Sequence, residues 1–217
     1  MNAMLRKEMR LSALLLTYLF IAFGFMTLIP GYPILCGVFF ITLGIFQSFQ
    51  SAREANDIVF SALLPVAKRD VVKRKFQFAM LIELGGFALM AALTALRMTV
   101  MSGAKAYVGN ALMNPSPLFL AFVLLIFTAF NLCFVGGFFR TAYKFGIPFL
   151  TFGIVTLVLI FIGEALHFFP GLGFLNTTTG ERLGLQFALL AAAAVIYALG
   201  TAMSCRASMA RFEKIDL

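Results

Sequence analysis

The chain has 217 residues, 62% hydrophobic and 12% charged, with 17 lysines and arginines against 9 acidic residues for a formal net charge of +8. Its mean hydropathy of +0.99, set against the roughly 25% charged content of soluble domains, excludes a single water-soluble core. With 27 phenylalanines and no tryptophan, the lipid bilayer is its natural solvent.

A helix crosses the hydrocarbon with about 20 mostly apolar residues, because every backbone N–H there must find its partner within the segment. Six windows meet this requirement, at about 11–29, 32–51, 76–96, 118–139, 147–168 and 184–205. They predict an all-α polytopic membrane protein, a single transmembrane domain over residues 1–217. The apolar run behind the basic opening exceeds the ~7–15-residue core of a secretory signal and leads into a second window, so it reads as a membrane helix. Pro30-Gly31, with Pro33 after it, predicts a tight turn between the first two spans. Cys36, Cys133 and Cys205 fall inside windows at no metal-ligand spacing and read as packing residues.

The loops carry the orientation. With the N-terminus in the cytoplasm, all of the 17 basic residues except Arg97, Lys105 and Arg182 lie on the cytoplasmic side, a strong positive-inside asymmetry. An even span count then puts both termini in the cytoplasm of a cell whose plasma membrane holds the chain. Because the basic residues are dispersed over several connections and two tails, nucleic acid is not their partner.

Residues 52–75 form the longest cytoplasmic connection. Ala55, Ile58, Val59, Ala62 and Leu63 recur at helical spacing, with Arg53, Glu54, Asp57 and Ser61 elsewhere on the wheel, so its first half predicts a short amphipathic helix that Pro65 ends. Such a helix either lies on the inner leaflet or presents itself to a cytoplasmic partner. The run Ser61–Phe76, SALLPVAKRDVVKRKF, preceded by Glu54-Ala55-Asn56-Asp57, resembles the same connection in small six-span permeases of the ABC-2 type exporter family. The nearest subgroup comprises membrane subunits of phenol-soluble-modulin and bacteriocin-type peptide exporters. Leu5-Arg6-Lys7-Glu8-Met9 is similar to that family's interfacial helix before span one, which implies such a helix over about 2–10.

The resemblance implies a type V exporter-like fold. It implies two copies of this permease working with two copies of a separate ATPase chain, which binds ATP and Mg. The cargo is then a hydrophobic or amphipathic substrate such as a cytolytic or antimicrobial peptide, and the setting a bacterial cell membrane. By matching positions, Glu54, Asp57, Leu64, Pro65, Lys68, Arg69 and Asp70 become the residues that couple to the ATPase. Independently, the chain has no G-x-x-x-x-G-K-[ST] phosphate loop, so a non-catalytic subunit without its own cofactor is expected.

Ionisable residues inside spans are costly and therefore functional candidates. Glu83 in span three could line an inward cavity and attract a cationic substrate, pack as a protonated hydrogen-bonded residue, or reach Lys75. Glu164 and His167, three apart near the outer end of span five, share a helix face and can form a polar pair. A metal would need a further ligand, and His167 is the only histidine. The alternative to a permease is a self-contained membrane-embedded enzyme, channel or secondary transporter built on Glu83, Glu164 and His167. Ala88, Ala91, Ala92 and Ala95, and Ala188, Ala191–Ala194 and Ala198, place small residues at spacing three to four and permit close helix approach.

Overall fold

The computed structural model describes residues 3–57, 67–107, 110–141, 144–179 and 182–214, and every regular element among them is helical. Helix α1 (Ala3–Lys7) runs on as a π-helical turn, Glu8–Ser12. The backbone turns extended at Ala13 and Leu14 before α2 (Leu15–Leu19) begins. That break frees a backbone donor in an apolar setting, which must be repaid locally. Ser48 answers it: Leu14 N donates to Ser48 Oγ at 3.2 Å, and the Thr17 and Ser48 hydroxyls are 2.6 Å apart.

Helix α2 continues as a 3-10 stretch, Phe20–Leu28. A 3-10 helix rises about 2.0 Å per residue, against about 1.5 Å for α, so the combined element reaches about 25 Å with few residues. It leans closely on α3 (Cys36–Glu54). At Gly37 an added Cβ would lie 2.7 Å from the Phe23 carbonyl oxygen, so only glycine permits this approach.

Helix α3 extends through Ala52-Arg53-Glu54, and Asn56 in the left-handed region (φ 50°) stops it. The front of the expected amphipathic helix is therefore the last turn of α3. Its remainder, residues 58–66, including Leu64 and Pro65, lies outside the described residues. Lys68 opens α4 (Lys68–Thr99), so the basic stretch before Phe76 forms the first two turns of a 32-residue helix. At about 48 Å this helix is longer than the roughly 30 Å hydrocarbon core, which leaves room for its charged start outside the lipid.

Helix α5 (Pro117–Arg140) is the hub. Pro117 sits in its first turn, and Ser116 Oγ caps it by accepting from Phe119 N at 3.3 Å. A π-helical segment, Phe130–Val135, interrupts its α-helical winding. Phe119, Phe122, Phe127 and Phe130 are buried in the core. Around them Phe46 stacks on Phe149 at 4.0 Å, and Phe130 meets Phe152 edge-on at 5.0 Å.

Helices α6 (Gly146–Ala165, continued by a 3-10 turn Leu166–Phe168) and α7 (Leu183–Phe212) are peripheral. Their apolar outer faces, among them Leu150, Leu157, Phe161, Leu199 and Met203, are exposed, as lipid as solvent allows. By length and composition α4, α5, α6 and α7 can cross a membrane, while α2 is apolar but shorter. Gln47, Gln50, Arg53 and Glu54 lower the hydropathy of α3 at its end.

Candidate coupling site and buried polar clusters

Three helices meet at the end of the bundle where α1 lies. Lys7 and Glu8 come from α1 and its π-turn, Asp57 follows α3, and Lys75 comes from the second turn of α4. Lys75 Nζ lies 2.5 Å from Glu8 Oε2 and 3.2 Å from Asp57 Oδ2, and Lys7 pairs with Asp57. Lys75 and Glu8 are 2% and 1% exposed. Among the described residues two cations and two anions balance the cluster, and a buried pair is tolerable only when it is compensated in this way. Burial pushes the Asp57 carboxyl up, but Lys75 and Lys7 together outweigh it and hold it below the usual carboxylate range. Asp57 is thereby pinned at the entrance to residues 58–66.

The other expected coupling residues take separate places. Glu54 is exposed and receives a hydrogen bond from Gln50 Nε2 at 3.3 Å. Lys68, Arg69 and Asp70 form the first turn of α4, where Arg69 pairs with Glu213 just beyond α7. Of the seven, Asp57 alone joins the buried cluster among the described residues.

Glu83 sits at the centre of α4, fully buried. Its Oε2 accepts from Asn131 Nδ2 at 2.8 Å and from the Tyr197 hydroxyl at 2.7 Å. Asn131 Nδ2 also reaches Thr201 Oγ1 at 3.2 Å, and Ser204 Oγ donates to the Asn131 carbonyl at 2.7 Å. The π-segment of α5 thus brings an asparagine to an acid on α4 and three polar side chains of α7, a placement in keeping with π-segments at functional positions. Lys75 spends its ammonium on Glu8 and Asp57 instead of reaching Glu83.

At the other end of the bundle Glu164 and His167 both turn to one crossing segment. Glu164 Oε2 accepts from Met113 N at 2.7 Å, and His167 Nε2 lies 3.1 Å from the Ala111 carbonyl. Asn176 closes the same segment, accepting from Asn114 N at 2.6 Å and donating to Leu112 O at 3.2 Å. Gln186, also fully buried, ties α7 to the Phe174 and Thr177 carbonyls. These contacts are a latch that fastens residues 110–114 over the helix ends. No group of three or more metal-ligating side chains occurs among the described residues.

Sequence reasoning named Glu8 only within the N-terminal run and Lys75 only as a reach for Glu83, foresaw no cluster between them, and missed Asn131. Glu8 and Lys75 were hidden among basic residues that read as solvated. Asn131 was legible as the one amide within the 118–139 window, a polar intrusion of the kind that marks function inside membranes.

Residues 2–209 match a family described as ABC-2 family transporter protein. No curated protein and no solved structure matches the chain.

Proposed function

We propose, from the premise that the chain belongs to the ABC-2 transporter family, that it is the permease subunit of an ATP-binding cassette exporter. Two copies dimerise and work with two copies of a separate ATPase chain that binds ATP and Mg. The cargo is a hydrophobic or amphipathic molecule, with a cytolytic or antimicrobial peptide as the most specific reading. In this proposal α2 and α3 join the four longer helices as spans, both termini are cytoplasmic, and the bacterial plasma membrane is the location.

The observation that carries the reading is the Lys7, Glu8, Asp57 and Lys75 cluster within a chain matching the family from residue 2 to residue 209. It clamps α1, the end of α3 and the start of α4 into one unit on either side of residues 58–66. A docked ATPase pushing on that connection would move the three helices together, as rigid-body coupling requires. Exposed small residues along α4 (Ala88, Ala92, Ala95) and α7 (Ala191, Ala192, Ala194) offer close-packing faces for a second copy. Glu83 and Glu164 belong to separate clusters at different depths, which weighs against an enzyme built on both.

Co-purification with an ABC ATPase, followed by reconstitution, tests the assignment. Asp57→Ala and Leu64→Ala are expected to lower substrate-stimulated ATP hydrolysis without preventing membrane insertion. Coupling that persists at the wild-type level in both variants, or repeated purification without any ATPase, would refute it.

A further inference from the structure

A cleft of about 710 Å³ opens between the last turns of α5, the start of α6 and the last third of α7. Its volume falls within the roughly 300–1,000 Å³ of small-molecule sites. Its walls are apolar, with Leu132, Ile147 and Met203 on the outward side, all at least 48% exposed. The cleft therefore opens sideways onto the surface that faces lipid.

Charge complementarity defines the occupant. Arg140 from α5 and Arg211 from α7 both line the cleft, and neither has an acidic partner among the described residues. Glu213, two residues from Arg211, is committed to Arg69. Ser208 lines the same wall, is 2% exposed, and its hydroxyl makes no hydrogen bond among the described residues. Two guanidinium groups without an acidic partner among the described residues, and a buried hydroxyl, at the mouth of an apolar, laterally open cleft match a phosphate with an acyl chain behind it. Basic pockets between membrane helices recognise anionic headgroups in this way. A free phosphate would leave the apolar walls unused, and a zwitterionic lipid would bring a cation to the arginines.

We infer that this cleft is a binding site for one anionic phospholipid of the surrounding bilayer. The headgroup phosphate sits between Arg140 and Arg211, with Ser208 donating to it, and an acyl chain lies along Leu132, Ile147 and Met203. The site is separate from the coupling cluster and independent of what the transporter exports.

The test incubates the full chain, purified in mild detergent, with phosphatidylglycerol or phosphatidylcholine of identical acyl composition and counts bound lipid by native mass spectrometry. At about fivefold per arginine, the anionic lipid is expected to bind about 30-fold more tightly than the zwitterionic one. Arg140→Ala with Arg211→Ala should bring the two lipids to near parity, whereas the Arg140→Lys, Arg211→Lys pair retains a preference and shows that the fold survives. Met203→Trp, which fills the acyl groove, should weaken both lipids alike. Equal binding of the two lipids by the wild-type chain would overturn the inference, as would a preference that persists without the arginines. A benzophenone side chain at position 203 should cross-link lipid; cross-linking to a second copy of the chain instead would also overturn it.

Discussion

Replacing Lys75 by methionine keeps the length of the side chain and its contact with Phe49, over whose ring the ammonium lies at 5.8 Å, while deleting one charge of a neutral cluster. Glu8, 1% exposed, then faces Asp57 with one lysine fewer beside the two carboxylates. Leaving a buried charge uncompensated costs about 3–5 kcal/mol, a fall of about 6–20 °C in the unfolding midpoint of a chain this size. Charge balance makes a sharper demand on the double variant. Glu8→Gln together with Lys75→Met leaves the Lys7 and Asp57 pair balanced, so it should be more stable than Lys75→Met alone despite carrying one more change. Thermal unfolding of the four proteins in detergent, followed by thiol-reactive dye or tryptophan-free near-ultraviolet signal, completes the cycle, and a coupling of about 1–3 kcal/mol is expected for groups in contact. Additive losses, or a Lys75→Met variant within about 0.5 kcal/mol of wild type, would show that these groups are hydrated in solution and would refute the reasoning.

Glu83→Ala removes the acceptor of two hydrogen bonds at 2.8 and 2.7 Å, and at about 0.6–1.7 kcal/mol for each such bond in a membrane protein it should lower the unfolding midpoint by several degrees. Glu83→Gln keeps an oxygen for both donors and should stay close to wild type; equal damage by the two variants would contradict the network. Because Asp57 is held below its ordinary value of 3.8, the stabilisation from its lysines is complete above about pH 4 and is lost as the pH falls through the folded value. Asp57→Asn should therefore flatten the acid limb of the stability profile, measured by unfolding midpoint against pH. Gly136→Ala places a methyl 2.5 Å from Ser204 Oγ and should cost about 1–3 kcal/mol through overpacking. Adding Ser204→Ala removes the clashing atom and should recover part of that loss in the same melting assay.

Apolar run length made the large elements legible, since a stretch such as 118–139 has no alternative inside lipid to a helix that satisfies its own backbone. Boundaries were less legible where charge and helix coexist. Lys68–Lys75 reads as the basic end of the 52–75 connection, yet these residues are the start of α4 itself, carried in its regular winding. Glu83 stood out because an acid is rare at that depth, but its partners did not, since Asn131 and Tyr197 lie 48 and 114 residues away. Similarly, nothing local distinguishes Lys75, 2% exposed, from its exposed neighbour Lys73; only the fold brings α1 beneath it. Glu164 and His167 read as a pair on one helix face, but both reach the backbone of a segment over 50 residues away, which spacing along one helix does not encode.

The π-segment Phe130–Val135 also fixes the angular phase of everything after it. A π-turn accommodates one residue more than the α-turn it replaces, and one residue is about 100° of rotation on a helix of 3.6 residues per turn. Winding the same six residues as a regular α-helix would therefore swing the following five residues about a quarter-turn around the axis, and Gly136 would leave Ser204. Deleting one residue there would instead restore regular winding with the far end of α5 still in phase. The wider turn is thus a compass setting that keeps that end aimed despite the extra residue.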